Sequence, residues 1–164
     1  MSSGWQTVWT TLQSEFADID DVAQLTRITV RLLIAALLGA VLGFEREHKG
    51  KAAGVRTHML VAMGAALFVM VPQLSGAQAD AMSRVVQGVI AGIGFLGAGT
   101  ILKGHAEDAD QHVKGLTTAA GLWITAAIGV SAGLGRESTA ILSTLLALAV
   151  FSLMPLIVAR LDKD

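Results

Sequence analysis

Cysteine is absent from the 164 residues, which excludes disulfides, thiolate catalysis and cysteine-held metals, and is silent about compartment. Charge is scarce: 15% of the residues are Asp, Glu, Lys or Arg, and the formal net charge is −1. Such a chain has no broad basic field, so nucleic acid is not an expected partner. With 53% hydrophobic residues and a mean hydropathy of +0.62, the chain is neither disordered nor an ordinary soluble domain. The first 24 residues lack the basic start and apolar core of a cleavable signal peptide and instead carry Glu15, Asp18, Asp20 and Asp21. No Ser-His-Asp, Cys-His or phosphate-loop pattern occurs, so the expectation is a protein that is not an enzyme.

Apolar length is what the chain has. Stretches at Leu25–Phe44, Thr57–Ser75, Val85–Leu102, Leu116–Leu134 and Thr139–Ala159 take up most of it. Each holds about 18 to 21 residues, enough to cross a hydrocarbon core of about 30 Å at about 1.5 Å per residue. The predicted fold is an all-α integral membrane protein, a bundle of five transmembrane helices over residues 25–159 with a short tail at 160–164. Residues 1–24 form an N-terminal segment in which Trp5, Val8, Trp9, Leu12, Phe16 and Ile19 recur at a helical period. That pattern predicts a short interfacial amphipathic helix over 4–17, with its indoles in the headgroup region.

Five spans place the termini on opposite sides. One side holds Arg46, Lys49, Lys51, Arg56, Lys103, Lys114, Arg160 and Lys163; the other holds Arg84 and Arg136, with Arg27 and Arg31 at the entry of the first span. The positive-inside rule then puts the N-terminus outside and the C-terminus in the cytoplasm. Arg27 and Arg31 stand on one helix face. Either they snorkel to the outer headgroups, or Arg31 faces the bundle and needs an acidic or carbonyl partner.

Helices in lipid associate through small residues. Gly39 and Gly43, Gly88 and Gly92, and Gly129 and Gly133 are each four apart. They serve packing within one subunit or a homodimer through a glycine-rich face. The third span, Gly92-Ile93-Gly94-Phe95-Leu96-Gly97-Ala98-Gly99-Thr100, is weak as a helix, since each interior glycine costs about 1 kcal/mol against alanine. It is either a very close helix crossing, the favoured expectation, or a broken helix whose free carbonyls meet a ligand.

The polar candidates lie in the loops. Glu45 and Arg56, at the two ends of the first cytoplasmic loop, are expected to turn inward, where a carboxylate pairs with an arginine or holds a hard cation such as Mg2+. The alternative is a solvated loop of topology anchors. A second loop, Lys103 to Lys114, carries His105, Glu107, Asp108, Asp110 and His112, which match no metal-binding helix pattern and read as solvated. Thr117 and Thr118 sit where they cap the fourth span or bond across helices, and the indole N–H of Trp123, well inside that span, needs a partner there. No carboxylate lies within the spans, which weakens a proton-relay pump.

Three ordered motifs carry a resemblance: Gly43-Phe44-Glu45-Arg46-Glu47 with Lys51-Ala52-Ala53-Gly54-Val55-Arg56-Thr57-His58-Met59-Leu60-Val61, then Gly92–Ile101, then Lys114–Trp123. Together they resemble the MgtC/SapB family of bacterial inner-membrane proteins, over about residues 25–159. The resemblance implies five membrane helices, a link to growth at low magnesium and survival inside host cells, and regulation of other membrane complexes, the proton-translocating ATP synthase among them. It lends direct magnesium transport little support and implies no cofactor. Longer members carry a cytoplasmic C-terminal domain, and this sequence stops at Asp164. Carried over by motif, the positions to test are Glu45, Arg46, Gly54, Arg56, Thr57, Gly94, Gly97, Gly99, Thr117 and Thr118. The expected function is regulation of a partner through helix contacts. The alternative is a small magnesium or other cation transporter or channel, with Glu45 and the carbonyls near Gly97–Thr100 on the path.

Overall fold

The computed structural model describes residues 4–17, 19, 21–104 and 115–161. Six α-helices occupy these residues: α1 Gly4–Glu15, α2 Val22–His48, α3 Val55–Leu74, α4 Ala79–Gly104, α5 Leu116–Gly133 and α6 Glu137–Leu161. No strand occurs among the described residues. The last five are each long and apolar enough to cross a membrane. The chain divides into two compact units, Met1–Val30 and Arg31–Asp164. In the first, α1 has no buried residue, and Trp5 and Phe16 are more than four-fifths exposed.

In the second unit, burial follows helical periodicity. The inward stripe of α2 is Ala35, Ala36, Gly39, Leu42, Gly43 and Arg46; that of α3 is His58, Ala62, Ala65, Ala66, Val69 and Met70. Helix α5 is the hub, packing against α3, α4 and α6. Its Thr118, Gly121, Leu122, Thr125, Ala126, Ile128, Gly129, Ala132 and Gly133 are all buried. Such small residues let backbones meet. A Cβ on Gly129 or Gly133 would fall on the Ala62 or Ala66 backbone of α3. A Cβ on Gly39 would stand 2.6 Å from the His58 carbonyl oxygen, and one on Gly43 2.6 Å from Val55 Cα. Both pairs are therefore consumed by crossings onto α3. Buried hydroxyls turn back on their own helices, Thr125 donating to Gly121 O at 2.7 Å and Thr144 to Ala140 O at 2.8 Å.

Helix ends are set by glycine. At Gly50 (φ 64) the Gly50 and Lys51 N–H groups bond back to Glu47 and Arg46 carbonyls, and the same closure recurs at Gly76 and Gly135. This is why α2 runs one turn beyond the predicted Phe44: Glu45, Arg46, Glu47 and His48 are helix, and the first residue to stop it is Gly50. Helix α4 runs unbroken through its glycine run. The expected close crossing is confined to the end of that run: a Cβ on Gly97 would stand 3.3 Å from Ala119 Cβ, and one on Gly115 2.5 Å from the Thr100 carbonyl oxygen, whereas Gly92, Gly94 and Gly99 face open space.

Candidate functional site

Charged groups gather where α2 ends and α3 begins. Glu45 and Lys49 are four apart on the last turns of α2, with Lys49 Nζ 2.7 Å from Glu45 Oε1. Arg46 Nη1 lies 3.3 Å from Glu45 Oε2. One carboxylate thus serves two cations. The Arg46 side chain is only 3% exposed, and its guanidinium carbon sits 4.4 Å from the centroid of the Phe151 ring in α6.

Lys49 also donates to the Phe151 carbonyl at 2.8 Å. That carbonyl is free for a covalent reason: its usual donor, four residues on, is Pro155, which has no N–H. A bare carbonyl is costly in a membrane helix, and Lys49 satisfies it while tying α2 to α6. On the other flank Glu47 accepts from the Val55 N–H at 2.8 Å and caps α3. Gly54 makes room for this, because a side chain there would collide with the Glu47 carboxylate.

His58 stands one turn into α3, fully buried, with Nδ1 3.0 Å from Gly54 O. Its Nε2 faces α5 at Gly121, where a Cβ would stand 3.6 Å away. Nε2 of His58, Nε and Nη2 of Arg46 and Oε1 of Glu45 are buried without a hydrogen-bond partner, Oε1 meeting Lys49 as an ion pair alone. The junction therefore keeps unused hydrogen-bonding capacity both within its ion-pair triad and at His58 beside it.

The structure unites Glu45, Arg46 and Gly54 of the predicted residues. Arg56 does not join them: with Thr57 it is exposed on the first turn of α3, which corrects its expected inward turn. Gly94 and Gly99 face outward on α4, and Gly97 packs inside. Thr118 is buried on α5 and Thr117 is exposed. Trp123, well inside the span along its length, is half exposed on the outer side of α5. The candidate loop residues His105, Glu107, Asp108, Asp110 and His112 lie outside the described residues. Sequence reasoning missed His58, Lys49 and Phe151. A histidine inside an apolar span and a proline four residues after Phe151 were the available signals. At the opposite end, Arg31 Nη1 donates to Gln73 Oε1 at 2.8 Å and to Gly133 O at 2.9 Å, the carbonyl partner it needed, at the negative end of α5.

The description MgtC family matches residues 32–160, which takes in the whole polar junction and every helix that closes on it. The chain belongs to the MgtC family. Its relatives there include protein SrpB of Synechococcus elongatus, 49% identical over 133 residues, covering 76% of this chain and 73% of SrpB. YhiD of Escherichia coli, named as a conjectured magnesium transporter, is 42% identical over 132 residues, 74% of this chain and 59% of YhiD. Protein MgtC of Salmonella typhimurium is 39% identical over 134 residues, 82% of this chain and 55% of MgtC. The chain thus spans little more than half the length of these last two relatives. No solved structure matches it significantly.

Proposed function

We propose that this chain is a membrane-embedded regulator in adaptation to low magnesium, acting on a partner membrane complex through helix contacts and carrying no ion itself. Its proposed setting is the bacterial inner membrane, N-terminus outside and C-terminus in the cytoplasm, by the charge asymmetry of its loops. By family resemblance the partner is a complex such as the proton-translocating ATP synthase, and survival inside host cells is the context.

The observation that carries this reading is the uncovered outer face of α4 beside close helix crossings elsewhere in the bundle. Backbone meets backbone where Gly129 and Gly133 cross α3, which leaves no space between α3 and α5 at that crossing. Glu45 is ion-paired to both Lys49 and Arg46, so a Mg2+ ion there would have to compete with two positive charges. Helix α4, by contrast, presents Gly94, Phe95 and Ala98 outward, with Phe95 82% exposed and nothing within 4 Å of a Cβ on Gly94. A small residue on a lipid-facing surface lets a partner's helix approach closely. The competing reading, cation transport, has behind it the name of the Escherichia coli relative.

The test is low-magnesium growth of cells that depend on this chain. Gly94→Leu is expected to insert and fold normally, since its site is open, and to lose function. Wild-type growth with Gly94→Leu would refute contact through this face.

A further inference from the structure

Helices α3 and α4 leave between them a groove of about 810 Å3. Gly64, Gly88 and Gly92 line it, and a Cβ on any of them would meet nothing within 4 Å. Exposed Leu60, Phe68 and Leu96 flank it. Arg56 is the single charged residue in its lining, with Thr57 beside it. Among the described residues Arg56 forms no ion pair.

We propose that this groove seats an anionic phospholipid, its acyl chains over the glycines and its phosphate against Arg56 and Thr57. Length favours a lipid over a partner's helix. From Arg56 to Phe68 is twelve residues, a rise of about 18 Å at about 1.5 Å each. One leaflet of hydrocarbon is about 15 Å deep, half of the core, whereas a spanning helix needs a seat of about 30 Å. The groove therefore reaches one leaflet deep and starts at a charged group of the sign a phosphate requires. Arg56 and Thr57 also sit in the first turn of α3, where Glu47 takes the Val55 N–H and the backbone N–H groups that follow have no acceptor within the helix. Basic pockets between membrane helices bind anionic headgroups on the same grounds.

The test is native mass spectrometry of the full chain after reconstitution into vesicles of equal phosphatidylcholine and phosphatidylglycerol. Wild type is expected to retain phosphatidylglycerol about five-fold over phosphatidylcholine, the effect of one arginine near an anionic headgroup. Arg56→Gln should erase the preference, and Arg84→Gln, outside the groove, should keep it. Gly88→Leu with Gly92→Leu should lose the retained lipid with no fall in the thermal midpoint; Gly64→Leu fills the same groove from α3 should that pair fail to fold. Equal retention of the two lipids, an unaltered preference in Arg56→Gln, or undiminished lipid in a filled groove would each overturn the proposal. So would a dimer abolished by filling, which would make a second copy the occupant. Absence of both lipids, with a Gly92→Cys variant cross-linking to another membrane protein in cells, would overturn it in favour of a partner's helix.

Discussion

Gly129 offers a sharp test of the packing. A Cβ there would stand 2.8 Å from Ala62 Cα and closer still to the Ala62 carbonyl oxygen, both backbone atoms of α3 that no rotamer change can move. To restore an ordinary carbon–carbon separation of about 3.5 to 4.0 Å, α3 and α5 must part by roughly 1 Å, enough to forfeit a quarter to a half of each contact's well depth. Overpacking of this kind costs about 1–3 kcal/mol. Gly88 has the same residue type in the same four-residue spacing, yet its Cβ would meet nothing within 4 Å. There alanine is expected to stabilise by about 0.5–1 kcal/mol through helix propensity alone. Reversible unfolding in mixed micelles, followed by circular dichroism, should therefore move Gly129→Ala and Gly88→Ala in opposite directions. Equal stability of the two variants would refute the crossing assigned to Gly129.

Two further predictions concern the polar junction, each read by the same unfolding assay. Lys49→Met strips the partner from the Phe151 carbonyl and should cost about 1–3 kcal/mol. Much of that loss should vanish in a Pro155→Ala background, where the alanine N–H reclaims the carbonyl, and additive effects would refute the link. Glu45→Ala leaves Arg46 buried with an uncompensated charge and should cost about 3–5 kcal/mol, whereas Arg46→Met removes the charge itself and should cost far less. The reverse order would show that Arg46 does not depend on Glu45.

The helices were legible because length and apolarity alone report them, and five spans emerged within a few residues of their bounds. The largest miss is the start of α4, expected at Val85 and found at Ala79, because Asp80 and Arg84 carry polarity that hydropathy reads as loop although the backbone continues as helix. Glycine spacing was legible but its use was not. The pairs in α2, α4 and α5 look alike in sequence, yet two meet α3 and Gly88 with Gly92 meet nothing, a distinction set by tertiary neighbours. Glu45 stood out as the carboxylate nearest a span. The bond from Lys49 to Phe151 joins residues 102 apart, and nothing local in either segment predicts it. Arg56 was misjudged because closeness to a helix start says nothing of which face the residue takes, and one step of about 100° separates the buried side of α3 from the groove.

The claim that this MgtC-family chain regulates rather than conducts meets its most direct test in magnesium flux into proteoliposomes. The full chain, shown to be folded and inserted, is compared with empty vesicles and with the Glu45→Gln variant. Regulation without conduction predicts entry no faster than in empty vesicles for either protein. Protein-dependent entry would contradict it, and loss of that entry in Glu45→Gln would place the ion path at the junction of α2 and α3.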